Sequence, residues 1–211
     1  MTATNPPEAT LGLCLSGGGF RASLFHIGAL AALAEREMLH KVEVLSTVSG
    51  GSIIGAYYYL KVKRLLEGHV PHCAKPDAAA YKRIVKEIEQ DFLVAVQQNI
   101  RLRLFSNPRS NLKMANEDYS RSDRLAELLN AFFYDQAGGE TNILLKDIHI
   151  HPERQAVKAK AYNKTNEFKI PILVINATCL NTGHPWHFTG AYIGEPAPRR
   201  EFLQEVDSNF R

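Results

Sequence analysis

Two short stretches hold the residue types that could do covalent chemistry. "TVSGGS" (Thr47 to Ser52) sets one serine between an apolar run and two glycines, and "SGGGFRAS" (Ser16 to Ser23) offers three successive glycines followed by an arginine. A serine hydroxyl is a poor nucleophile until it is exposed, oriented and deprotonated by a nearby base. A tight strand-to-helix turn achieves the first two. It also puts the following backbone N–H groups at a helix N-terminus, where developing negative charge is favoured. Such an elbow is crowded and calls for small residues two positions either side of the serine, the G-x-S-x-G pattern. In the frame Thr47-Val48-Ser49-Gly50-Gly51 the downstream glycine is present and threonine replaces the upstream one. A serine that only caps a helix after a strand is the structural alternative.

The run Gly17, Gly18, Gly19 has a bare backbone that a ligand can approach closely. Its N–H donors suit either a phosphate or the oxyanion of a tetrahedral intermediate, and Arg21 adds a fixed positive charge beside them. A turn that merely lets a helix pack on a strand is again the alternative. A sharper competitor is the dinucleotide fingerprint, since Gly17-x-Gly19-x-x-Ala22 fits G-x-G-x-x-G/A. That motif needs a ribose-binding acid at the end of the second strand. The position reads "LSTVSGGS", and Glu43 falls too early in the strand. The serine reading is preferred for that reason.

Both turns need a sheet to hold them. Thr10 to Ser16 reads as a short strand, Arg21 to Leu39 as a helix with Leu24, Ile27, Leu30 and Leu33 at three-residue steps, and Val42 to Thr47 as a second strand. A second helix runs to about Leu66, with Ile53, Tyr57 and Leu60 on one face. In "AYYYLKVKR" the aromatics are expected to pack inward while the lysines reach water. Strands alternating with helices imply parallel pairing and right-handed crossovers, with ligands at the carboxyl edge of the sheet, where both glycine turns lie. Helices are expected over Tyr81 to Val96 and Asp123 to Phe133, the latter with Ser122 as N-cap. The polar stretch "SNPRSNLKMANEDYS" lies between them, so residues from about 78 to 135 read as a helical insertion. "KIPILVINATCL" (Lys169 to Leu180) returns to buried-strand composition and "NTGHPW" ends it.

The bulk numbers are ordinary. The 211 residues are 45% hydrophobic and 22% charged with a net charge of +3, which suits one globular domain and is too weakly basic to argue for nucleic acid. Cys14, Cys73 and Cys179 show no CxxC spacing, so a reducing compartment is expected. Residues 1–10 read as a disordered tail without a secretory signal, and no apolar run reaches the length of a membrane helix. His184 and His187 in "GHPWH" lack the further ligands a metal would need. His149 and His151 alternate as on a strand with a solvated face, and a Ser–His–Asp triad stays open because eight histidines are available.

Together the turns resemble those of the patatin-like phospholipase family, in which a G-G-G-x-R turn follows the first strand and a nucleophilic serine follows the second. Here those are Gly17-Gly18-Gly19-Phe20-Arg21 and Ser49, and "PILVINATCLNTGHPWHF" is similar to the family's central strand. The resemblance covers most of Leu11 to Phe188. It implies a three-layer α/β/α sandwich with a mainly parallel sheet over residues 11–211, with Ser49 as nucleophile, Gly17 to Gly19 as oxyanion hole and Arg21 as its basic neighbour. It also implies hydrolysis of carboxylic esters in lipids without metal or organic cofactor. A cytoplasmic location with peripheral membrane contact is expected, and the insertion is expected to act as a lid or a lipid-contact surface. The family's base is an aspartate in an Asp-Gly turn, and no Asp-Gly pair occurs in this sequence. The expectation is therefore a C-terminally incomplete sheet with the aspartate beyond Arg211. The alternative is a catalytically inactive lipid-binding or regulatory module.

Overall fold

The computed structural model describes residues 10–70, 76–114, 117–152 and 155–196. The N-terminal tail up to residue 9, Cys73 and the charged segment from residue 197 lie outside the described residues. The chain begins with strand β1 (Leu11–Leu15), helix α1 (Gly19–Glu35), strand β2 (Val42–Val48) and helix α2 (Gly50–Leu66). Helices α3 (Ala78–Val96), α4 (Ile100–Ser106), α5 (Pro108–Lys113) and α6 (Arg121–Leu129) follow, then a π-helical turn (Asn130–Tyr134), α7 (Asp135–Gly138) and α8 (Ala159–Thr165). Strands β3 (Ile172–Thr178), β4 (Pro185–Phe188) and β5 (Ile193–Gly194) complete the described sheet.

The architecture is α/β, as expected. The sheet order is β1-β2-β3-β4-β5, with β1, β2 and β3 parallel and the short β4 and β5 added antiparallel. Because spatial order follows chain order, right-handed crossovers bring α1 and α2 to one face. There α1, α2 and α3 pack on one another, and α2 rests on β1, β2 and β3. Leu15, Leu45 and Leu173 are buried beneath this layer, whereas Gly12 and Cys14, which alternate to the other face, are exposed.

Helix α2 is buried along most of its length because it is enclosed by the sheet, α1, α3 and α7. Tyr57, Tyr58 and Tyr59 are all buried, and Tyr59 donates from its hydroxyl to the Ile148 carbonyl at 3.0 Å. The expectation that the lysines of this helix reach water is corrected. Lys61 is 9% exposed, its Nζ 3.1 Å from Glu87 Oε2 and 3.3 Å from Asp91 Oδ2 on α3. A buried ammonium requires such partners, since desolvating it unpaired is costly. In α1 the buried stripe is Ser23, His26, Ile27, Leu30 and Ala34, while Leu24 is exposed. A strict three-residue step drifts off a helix of 3.6 residues per turn, which is why Leu24 leaves the core face.

The insertion is more helical than its composition suggested. Asn107 accepts from the amides of Arg109 and Ser110 at 3.0 and 3.3 Å, and Pro108 opens α5, so the polar "SNPRSNLK" caps a helix rather than forming a loop. The N-cap of α6 is Ser120, not Ser122: Ser120 and Asp123 close a reciprocal capping box. Residues 148–151 form no strand. His149 and His151 are exposed, as their alternation implied, and Ile148 and Ile150 are buried, but the backbone is held by side chains of α2 and its C-cap. Lys63 Nζ donates to the His149 carbonyl at 3.0 Å, and the His151 amide donates to Glu67 Oε1 at 2.9 Å.

Candidate active site

In the parallel register Leu15 pairs with Thr47, so β1 and β2 end side by side and their following turns start as neighbours. Ser49 sits at φ 51° and ψ −118°, a left-handed conformation that costs a non-glycine residue about 1–3 kcal/mol. Helix α2 begins immediately after it, and the Ser52 and Ile53 amides donate to the Ser49 carbonyl at 2.8 and 3.2 Å. The Ser49 side chain makes no capping hydrogen bond and the residue is exposed. The capping explanation of this serine therefore fails: the residue is exposed and the helix makes no hydrogen bond to its hydroxyl.

The two turns press on each other. A Cβ on Gly17 would lie 3.1 Å from Ser49 Cβ and 3.5 Å from the Val48 carbonyl oxygen. A Cβ on Gly50 would overlap the Gly19 carbonyl and sit 2.9 Å from the Gly19 nitrogen, and one on Gly51 would overlap the Leu15 carbonyl. Gly50 and Gly51 are thus demanded by contact between backbones, and Gly17 leaves room for the Ser49 side chain. Gly18 and Gly19 have φ of 140° and 64° and turn the chain into α1, whose N-terminus opens beside Ser49.

The sequence profile of patatin-like phospholipases matches residues 13–177, which takes in both turns and all but the last residue of β3. The chain belongs to the patatin-like phospholipase family. Among solved structures it is similar to human GIVD cytosolic phospholipase A2 in complex with methyl γ-linolenyl fluorophosphonate, at 18% identity and a TM-score of 0.48. That alignment covers 88% of this chain and 24% of the other, so the present chain spans about a quarter of that structure's length. A comparison with curated proteins gave no match.

Within this patatin-like chain the absent upstream glycine has a physical account. Thr47 is fully buried and its hydroxyl donates to the Val174 carbonyl on β3 at 3.1 Å. Its methyl occupies space that only a glycine on α2 leaves open, since a Cβ on Gly55 would lie 2.5 Å from Thr47 Cγ2. The small residue has moved from the strand to the second turn of the helix. Asn176 completes the tie to β3, donating from Nδ2 to Ser46 Oγ at 2.9 Å and to the Thr47 carbonyl at 3.0 Å.

Two residues that hold the turns were missed in the sequence. Ser23 is buried and donates to the Gly50 carbonyl at 2.7 Å, so the start of α1 is fastened to the first residue of α2. His26 is buried, with Nε2 2.9 Å from the Ser16 carbonyl and 3.4 Å from Ser16 Oγ, at the entry of the glycine run. The signal was their place in the buried stripe of α1 among aliphatic residues, where polar side chains need partners. Arg21 lies in the first turn of α1 with its side chain exposed and no hydrogen-bond or ion-pair partner among the described residues. Glu43 stands at the start of β2, at the far end from the turn, with Asn163 3.5 Å from it.

The segment "NTGHPWH" is a hairpin joining β3 to β4, closed by the Cys179 amide donating to the His184 carbonyl at 2.9 Å. His184 Nδ1 lies 3.2 Å from Glu195 Oε2, and Thr182 donates to Glu195 Oε1 at 2.6 Å. The Thr182 hydroxyl and the nearby His184 hold the Glu195 carboxyl below the usual range. His187 sits in β4 opposite Asn176.

If His26 sets the glycine run, His26→Ala lowers kcat for ester hydrolysis about ten- to a hundredfold with little change in KM. His26→Gln, which keeps a donor near the Ser16 carbonyl, recovers part of the loss. Steady-state kinetics of the two variants on a soluble ester check this.

Proposed function

We propose that this patatin-like domain hydrolyses carboxylic ester bonds in lipids, with Ser49 as the nucleophile. The observation that carries the reading is the exposed, uncapped Ser49 held at positive φ directly against Gly17. Ser49 Oγ attacks the ester carbonyl carbon as a carboxylate base takes its proton. The carbonyl oxygen becomes an oxyanion held by the N–H groups of Gly17, Gly18 and Gly19, with Arg21 adding positive charge. Collapse of this intermediate breaks the bond to the alcohol, which leaves with the proton, and an acyl-Ser49 ester remains. Water then attacks that ester, the base again accepts a proton, and the fatty acid departs as Ser49 is restored. The base is assigned to an aspartate outside residues 1–211, because no aspartate in the chain is followed by glycine as the family's motif requires. The sequence of steps calls on no metal or organic cofactor.

The absence of an Asp-Gly pair also favours a second reading, a module that keeps both turns and binds lipid without cleaving it. A fluorophosphonate probe applied to the whole gene product decides between them. Labelling that vanishes in Ser49→Ala is the result expected of the hydrolase. A protein that stays unlabelled, or is labelled equally in the variant, sinks it.

A further inference from the structure

The insertion carries side chains that its own packing does not use. On α4, Ile100 is buried and Leu104 packs on the core, which satisfies the inward face of the helix. Leu102 and Phe105 point elsewhere and are 66% and 54% exposed, and Leu112 on α5 is 77% exposed. A surface helix ordinarily confines its apolar residues to one stripe, so α4 carries a second apolar face that the described residues leave largely exposed, with the Arg121 guanidinium over the Phe105 ring at 5.2 Å. The same stretch, residues 97–114, contains Arg101, Arg103, Arg109 and Lys113 and not one aspartate or glutamate. All four cations are exposed. The nearest acids of α6 are engaged, Asp123 with Ser120 and Glu127 with Arg124 and Tyr119; Lys113 Nζ lies over the Tyr119 ring at 5.6 Å, and the exposed acids Glu117 and Asp118 mark the end of the basic stretch.

The surface is also tied to the candidate active site. Phe133 of the π-helical turn stacks on Phe20, the residue after the glycine run, with ring centroids 6.0 Å apart. It also packs against Phe92 and Tyr57, and Arg103 of α4 lies over the neighbouring Phe132 ring at 5.2 Å. Bare apolar side chains interleaved with cations match one environment in particular, the boundary where acyl chains meet anionic headgroups. We propose that α4 and α5 seat this protein on an anionic lipid bilayer. Leu102, Phe105 and Leu112 enter the headgroup–acyl boundary, while Arg101, Arg109 and Lys113 meet lipid phosphates. The proposal rests on the lipid-hydrolase reading for its sense and deepens it by naming where the substrate interface lies.

The test uses the full chain carrying Ser49→Ala, so that lipid is bound without turnover, and cosedimentation with vesicles. Vesicles of phosphatidylcholine containing about one quarter phosphatidylglycerol are expected to bind it, and pure phosphatidylcholine vesicles to bind it far more weakly, with the difference shrinking as salt is raised. The combined variant Arg101→Gln, Arg109→Gln, Lys113→Gln is expected to lose at least about tenfold in affinity for the anionic vesicles. The combined variant Leu102→Ser, Phe105→Ser, Leu112→Ser loses binding as well. All six side chains are exposed, so folding is retained and circular dichroism checks it; Leu112→Ser alone serves if the triple variant misfolds. Anionic-vesicle binding that is absent, or unchanged in both variants, overturns the proposal. So does a charge variant that loses binding to polyglutamate but not to vesicles, which would assign the surface to an acidic protein. The two readings fail separately. Vesicle binding by a protein whose Ser49 resists the fluorophosphonate probe removes the hydrolase and keeps the docking surface. Hydrolysis of a soluble short-chain ester alongside variant-insensitive vesicle binding does the reverse.

Discussion

Ser49→Ala is expected to lower ester hydrolysis by about 10⁴-fold or more, a loss of the size seen when the nucleophile of an acyl-transfer unit is removed. The melting temperature should move by no more than about 2 °C, because the Ser49 side chain is exposed and makes no capping bond. Ser49→Gly separates chemistry from stability. Glycine tolerates the positive φ of 51° that serine bears under strain. The glycine variant is therefore inactive yet more stable than the parent, by about 1 kcal/mol in a denaturant titration. A residue kept at a cost to stability, whose removal abolishes turnover, is what a nucleophile at an elbow should be. Retained activity in Ser49→Ala, or a destabilised Ser49→Gly, would contradict the assignment.

Gly50→Ala is expected to have the second largest effect. Its new methyl would overlap the Gly19 carbonyl, and the obstacle is backbone on both sides, so no rotamer relieves it. Either α2 lifts from the sheet or the glycine run is pushed away from Ser49. Overpacking of this kind costs about 1–3 kcal/mol of stability. Displacing one oxyanion donor costs about 10²–10³ in kcat. The loss of activity should thus exceed what the stability change alone explains, measured at a temperature where the variant is fully folded. Gly12→Ala is the control, since a Cβ there meets nothing within 4 Å, and it should leave both quantities near the parent values.

Much of the candidate site was legible because it depends on short-range rules. Strand, glycine turn and helix recur in the order that brings two turns to one sheet edge, and the runs Gly17 to Gly19 and Gly50 to Gly51 are rare enough to mark it. The alternation of His149 and His151 also reported their exposure correctly, yet it led to an expected strand. What replaces a strand partner there is Lys63 and Glu67 from a helix far away in sequence, which no local pattern encodes. The cap of α6 is a different case: Ser122 was expected there, while the three-residue spacing of Ser120 and Asp123 is a capping-box signal already present in the sequence.

The amino-acid sequence by itself determined the α/β order, the two glycine turns and the isolated serine, because these follow from hydrophobic period and from backbone conformations open mainly to glycine. Tertiary structure alone decided that Thr47 is compatible with the elbow. Its methyl needs Gly55 from the next helix and its hydroxyl needs Val174 from a strand more than a hundred residues on. It alone decided that Lys61 is a buried ion-pair member and that Ser23 and His26 hold the turns together. Those roles rest on partners that only chain folding brings within a few ångströms, and a hydrogen bond or a steric contact has no strength at any greater distance.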